Sequence, residues 1–92
     1  MQFYIASSFE RSLKRLEPNR KERIKKAIRL AVAFFETGQL PQGLGLKPLS
    51  QPFWEIRAGI SERIIFRKHK DCIEFLLAGS HDEVKRFLKS MK

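Results

Sequence analysis

The sequence is poor in several residue types, and each shortage excludes something. It has one cysteine, one tryptophan, one tyrosine and only two histidines. A lone Cys72 cannot close an internal disulfide, so a disulfide scaffold is excluded. One Cys and two His cannot fill a Cys/His structural zinc site. No apolar run approaches the roughly 20 residues that span a bilayer. The opening Met1-Gln2-Phe3-Tyr4-Ile5 lacks the basic n-region and long h-region of a secretory signal, and a cytoplasmic protein is expected. No repeat, low-complexity tract or Ser/Gly/Pro linker divides the 92 residues, so one domain over 1–92 is expected. A Walker A loop, a Rossmann glycine fingerprint and a serine nucleophile elbow are also missing, and no cofactor or metal is expected.

What the chain does have is positive charge. Nineteen Lys+Arg stand against ten Asp+Glu, for a formal net charge of +9. That imbalance points to a polyanionic partner: nucleic acid first, an acidic protein second, a membrane surface third. The hydrophobic fraction of 42% suits a folded domain in spite of 32% charged residues.

Periodicity divides the chain into elements. Residues 2–6 alternate as a short strand, with Phe3 and Ile5 against Gln2 and Tyr4. Ser7, with Glu10 three residues on, has the spacing of a capping box, and Phe9, Leu13 and Leu16 make one helical face. Pro18 is expected to end that helix, with Asn19 capping a second and Glu22 at its N3 position. Ile24, Ile28, Ala31 and Phe35 continue an apolar stripe, and Gly38 supplies the stop. Residues 7–37 therefore predict a helical hairpin. Leu44–Ser50, interrupted by Pro48, reads as irregular. Phe53–Ala58, Arg63–Lys68 and Cys72–Ala78 read as strands, with Gly59 and Lys70-Asp71 in the connections. Ser80 and Glu83 repeat the capping-box spacing ahead of a last helix, whose apolar face is Val84, Phe87 and Leu88. The fold class predicted is α+β: a helical hairpin on a small, curved, antiparallel-rich sheet, with a short C-terminal helix.

The register of the central strands can be argued further. A two-residue loop at Gly59-Ile60 would place Arg63 opposite Ile56 and Glu55 opposite Ile64, mixing charge and hydrocarbon on both faces. Arg57 opposite Arg63 separates them. One face then holds Trp54, Ile56, Ile64 and Phe66, and the other holds Glu55, Arg57, Arg63, Ile65 and Arg67. A half-buried sheet favours the second arrangement, because a one-residue slip exchanges the faces. Ile73, Phe75 and Leu77 are expected on the apolar face of the next strand and Glu74 on the other, which becomes a basic, partly walled surface. Trp54 is expected in the core.

Opposed arginines repel unless something negative lies between them. Glu55 could be that counter-charge in a solvated salt-bridge ladder, which would contribute little stability. The other reading is a phosphate clamp, since guanidinium forks match phosphate oxygens. Lys47 and Arg67 add local positive charge. His81 stands beside a predicted helix N-terminus, where a neutral imidazole could transfer a proton; the plainer reading is a polar surface residue. His69 reads as solvated and Cys72 as a small packed residue. Along Arg20-Lys21-Glu22-Arg23-Ile24-Lys25-Lys26 and Arg29 runs a dense cationic helix face, either solubilising or contacting an RNA backbone.

Taken in order, Gly45-Leu46-Lys47-Pro48-Leu49, Trp54-Glu55-Ile56-Arg57, Glu62-Arg63-Ile64-Ile65-Phe66 and Gly79-Ser80-His81-Asp82-Glu83-Val84-Lys85-Arg86-Phe87 resemble the RelE/ParE toxin superfamily of bacterial and archaeal toxin–antitoxin systems. Phe9-Glu10-Arg11-Ser12-Leu13 ahead of a helical hairpin is similar too. The resemblance implies one of two activities. RelE-like members cleave mRNA on the ribosome by attack of the RNA 2′-hydroxyl, without a metal. ParE-like members inhibit DNA gyrase and lack the nuclease residues. For a RelE-like chain the resemblance implies catalytic roles for Lys47, Arg57, Arg63 and His81, with Glu55 as a possible base. RNA contacts are expected at Lys25, Lys26, Arg29, Arg67, Lys85 and Phe87. Phe87 stands where some members carry a tyrosine, and a phenylalanine cannot transfer a proton. The implied partners are an acidic antitoxin protein, mRNA and the ribosome, with gyrase instead if the chain is ParE-like and a catalytically inactive RNA- or ribosome-binding module as a further alternative.

Overall fold

The computed structural model describes residues 1–91. The elements run β1 (Gln2–Ile5), α1 (Ser7–Lys14), α2 (Pro18–Thr37), β2 (Gly45–Pro48), β3 (Phe53–Ala58), β4 (Glu62–His69), β5 (Cys72–Gly79) and α3 (His81–Ser90). Five strands form one sheet in the order β1-β5-β4-β3-β2, antiparallel except where β1 lies parallel to β5. The α+β class, the helical hairpin and the C-terminal helix are as the sequence predicts.

Binary patterning decides the central register. Arg57 pairs with Arg63, Ile56 with Ile64 and Trp54 with Phe66, the arrangement that keeps charge and hydrocarbon on separate faces. Ile56, Ile64, Phe66, Ile73 and Phe75 form the floor of the main core, and Phe9, Leu16, Ile24, Ala27 and Ala31 of the helical layer close over it. Phe35 meets Phe66 edge-on at 5.3 Å between ring centroids. Trp54 stacks on Phe66 at 6.3 Å but stays half-buried at the rim, so it is not the core residue expected. Gly38 ends α2 with φ +78°, a conformation its missing side chain permits.

Four expectations about local structure fail. Ser7 is not a cap: Ala6 holds the N-cap position of α1 and makes no side-chain cap bond. The neighbouring hydroxyls serve β5 instead. Ser8 Oγ donates to the Leu76 carbonyl at 2.5 Å, and Ser12 Oγ accepts from the Ala78 N–H at 3.0 Å. These are backbone groups that β1, which stops pairing at Phe75, leaves open. Asn19 is not a cap either. Pro18 occupies the first turn of α2 after Glu17, because a residue without an N–H costs nothing there. Leu44–Ser50 is not wholly irregular, since Gly45–Pro48 pairs with β3 as an edge strand, where Pro48 is tolerated. Leu77 is not on the core face. The β4–β5 ladder shifts between Ile65 and Phe66, so Leu77 faces Ile65 while Phe75 faces Phe66.

That shift creates a second apolar cluster. Ile65, Leu76 and Val84 are buried in it, with Leu49, Phe53, Leu77, Phe87 and Leu88 packed around them. The second face is therefore no uniform basic surface. Its middle is the seat of α3, and the charged residues are displaced to its ends. The Ser80–Glu83 capping box forms as predicted, with Glu83 N–H donating to Ser80 Oγ at 3.2 Å and Ser80 N–H to Glu83 Oε1 at 3.0 Å. Among the described residues no helix is long and apolar enough to cross a membrane.

Candidate functional site

One row of the sheet runs Gly45, Arg57, Arg63, Gly79 across β2, β3, β4 and β5. The glycine beside Arg57 leaves little room for a side chain: a Cβ at Gly45 would stand 3.1 Å from Arg57 Cβ. The adjacent row carries Lys47 opposite Glu55 and Ile65. Side chains of both rows project to the face that α3 partly covers.

Glu55 is buried beneath the two arginines. Its Oε2 lies 3.5 Å from Arg57 Nε and its Oε1 4.0 Å from Arg63 Nε. The ladder expected from the sequence is present, but it is loose. The arginines also differ from one another. The Arg57 side chain is 52% exposed, whereas that of Arg63 is 13% exposed. Arg63 Nη1 donates to the carbonyls of Ile60 at 3.2 Å and Glu62 at 3.0 Å. Its Nε is buried with no hydrogen-bond partner, a donor held ready in a water-poor place.

His81 is the first residue of α3, exposed, two residues beyond the Gly79 that pairs with Arg63. Backbone connectivity thus brings it to the same end of the sheet. Hydrogen bonding to Ser80, chiefly its N–H, holds the Glu83 carboxyl below the usual carboxylate range, against the opposing effect of burial.

The other residues expected to contact RNA do not form one surface. Lys26 opens on a groove of about 270 Å³ whose lining includes Arg23, Leu44 and Arg57, which ties it to the arginine row. Lys25 and Arg29 instead rim a separate groove floored by Ile5, Phe9, Leu13, Ile24 and Ile28. Arg67 lies at the far end of β4 and is engaged by Glu74. Lys85 is exposed on α3, and Phe87 is half-buried in the seat under that helix. Among the described residues no three His, Cys, Asp or Glu side chains are grouped so as to hold a metal ion.

Sequence reasoning missed a buried carboxylate that three side chains bind. Glu62 is 1% exposed. It accepts from Arg20 Nε at 2.5 Å, Arg23 Nε at 3.2 Å and Ser61 Oγ at 3.2 Å. Burial is the largest single influence on its carboxyl and pushes it up, but the hydrogen bonds from Arg20 and Arg23, the Arg23 charge and the Ser61 bond together outweigh it. The group is held below the usual carboxylate range. A signal was available, because positions 62, 64 and 66 share one strand face and two of them are core residues. A charge in that series needs a buried partner.

No protein-family model and no curated protein sequence matches the chain. Solved structures do. The RelB–RelE antitoxin–toxin complex from Methanococcus jannaschii matches with a TM-score of 0.70 at 21% identity, covering 91% of this chain and 96% of the other. The DinJ–YafQ toxin–antitoxin complex of E. coli matches with 0.74 at 15% identity, covering 90% and 94%. A YoeB/ParE toxin from Agrobacterium tumefaciens matches with 0.63 at 21% identity, covering 88% and 99%. Over nearly its whole length, the chain has the fold of the RelE, YafQ and YoeB/ParE toxins of toxin–antitoxin systems.

Proposed function

We propose that this chain is the toxin of a toxin–antitoxin pair, a single-domain, metal-independent endoribonuclease that cuts mRNA on the ribosome. The observation that supports it most is the pairing of Arg57 with Arg63 across the β3–β4 hairpin, above a carboxylate that neutralises them only loosely. A phosphate can take the place of that weak contact. Arg63, oriented by two carbonyls in a water-poor place, stabilises charge gathering on a phosphorane far more than it would in water, and half-exposed Arg57 adds a second guanidinium.

The chemistry follows from that placement. The RNA 2′-oxygen attacks the neighbouring phosphorus, the P–O5′ bond breaks, and a 2′,3′-cyclic phosphate and a 5′-hydroxyl result. The proton lost by the 2′-hydroxyl goes to Glu55, which lies between the arginines, and His81 protonates the departing 5′-oxygen. Lys47, across from Glu55, adds charge at the phosphate. Phe87 cannot transfer a proton, so proton transfer falls to Glu55 and His81. In-line positioning of the strand supplies much of the acceleration, and the ribosome provides it.

The partner proposed is an acidic, amphipathic antitoxin segment. Several of the structural matches are complexes with an antitoxin. The apolar groove rimmed by Lys25 and Arg29 suits such a segment in both charge and hydrophobicity.

Induction in cells followed by RNA 5′-end mapping tests the reading. Cleavage within translated regions, with cyclic phosphate on the upstream fragments, is the expected result. Growth arrest with intact mRNA and inhibited gyrase would replace it with a ParE-like activity.

A further inference from the structure

Glu62 and Arg63 are neighbours in sequence and point to opposite faces of β4. The Glu62 side chain reaches α2, where Arg20 and Arg23 hold it. Its backbone carbonyl accepts from Arg63 Nη1 at 3.0 Å. One residue therefore ties the same hairpin end to the helical layer on one side and to a site arginine on the other. The loop that closes the hairpin is bound into this tie as well. Ser61 Oγ donates to the Glu62 carboxylate, and the Ile60 carbonyl is the second acceptor for Arg63. Ile60 itself is 97% exposed, so the tip has no apolar anchor of its own.

Stability alone does not account for an ion cluster here. Charges taken out of water rarely outperform well-packed hydrocarbon, and their best-attested use is to fix one geometry among several. A freely pivoting tip would let the Ile60 and Glu62 carbonyls turn away, and Arg63 would lose the two acceptors that orient it. Its unpartnered Nε would then no longer be held in place.

We infer that Glu62 is a positioning residue: its clasp on Arg20 and Arg23 fixes the hairpin-tip carbonyls that aim the Arg63 guanidinium. The inference rests on the nuclease reading for its functional meaning, but its structural content can be measured without any cleavage.

The experiment compares the purified wild-type chain with Glu62→Gln by NMR, following the Arg63 Nε–Hε signal assigned with Arg63→Lys. Glu62→Gln is expected to speed solvent exchange of that proton by roughly tenfold or more, the scale of losing one charge-assisted hydrogen bond. Half-exposed Arg57 should exchange at the same rate in both. Where Glu62→Gln does not fold, Arg20→Lys keeps the charge, removes the Nε–H, and should show the same change at smaller amplitude. An unchanged Arg63 signal in a variant that has lost stability makes the clasp a mere fastening and overturns the inference. In ribosome assays Glu62→Gln should lower the saturated single-turnover rate by about 10-fold to 10²-fold with KM unchanged, the range for a misplaced reacting group. It should cause no further drop in an Arg63→Ala background, and a further drop also overturns the inference. A wild-type chain that cuts no RNA sinks the nuclease reading instead, and the exchange measurement still decides the role of Glu62.

Discussion

Two buried glutamates, seven positions apart on the same hairpin, are each approached by two arginines. Glu62 is gripped at 2.5 and 3.2 Å, with a serine hydroxyl added. Glu55 is attended at 3.5 and 4.0 Å, with no hydrogen bond to either arginine among the described residues. The difference separates fastening from readiness. A satisfied carboxylate has nothing left to offer a ligand. A loosely neutralised pair of arginines, one with a buried free donor, gains by binding an anion.

The largest effects expected should break the Glu55 side of this comparison. Arg63→Ala should lower the single-turnover rate of ribosome-bound mRNA cleavage by about 10² to 10³, the loss of one preorganised donor. Glu55→Gln should lower it by about 10² or more, the scale of general-base catalysis. In denaturant melts the same Glu55→Gln should cost less than Arg20→Ala, because the Glu55 contacts, at 3.5 and 4.0 Å, are longer than those of Glu62 and one of its arginines is half-exposed. A large loss of stability with unchanged cleavage would make Glu55 the fastening instead.

Next comes the Glu62 side. Arg20→Ala leaves a buried carboxylate with one arginine, and should cost about 2 kcal/mol in urea melts, less than the roughly 3–5 of a fully buried broken pair because Arg20 is partly solvated. Arg57→Ala should cost under about 1 kcal/mol. If Arg57→Ala proves the worse variant, the two clusters have been assigned the wrong way round.

Acid titration sharpens the contrast at smaller amplitude. The Glu62 and Glu83 carboxyls are lowered from the ordinary 4.5. Between that value and the lowered ones the unfolded chain binds more protons, so stability rises with pH across this window. Their contribution is complete above the window and is lost as pH falls through the lowered values. Melts recorded from neutral pH downward should show this loss, and Glu62→Gln should flatten part of the slope. An identical acid slope in the variant would count against the clasp.

The smallest effect expected concerns association. The on-rate of a cognate acidic antitoxin should fall as salt rises, by steering alone. Stopped-flow mixing at several ionic strengths checks it, and a salt-independent rate would remove charge from the account of that interface.

Much of this fold is legible in the sequence because the signals are short-ranged. The pairing of Arg57 with Arg63 follows from period-two alternation, since a slip of one residue would bury charge on both faces. The α3 capping box is set by side chains three positions apart, and Gly38 ends α2 by its own backbone freedom. Arg57, Glu55 and Arg63 could therefore be named together as candidates before any contact was seen. Tertiary structure decided what depends on distant partners. Ser8 and Ser12 bond β5 backbone groups more than sixty residues away, and α1 begins after Ala6, which has no side chain to cap it. Gly45–Pro48 became a strand only because β3 offered it a free edge. Glu62 found Arg20 from 42 positions away, across the core rather than along the chain. Local periodicity carries no record of such partners, because a buried charge or an open carbonyl is answered by whatever donor the fold brings within hydrogen-bond reach.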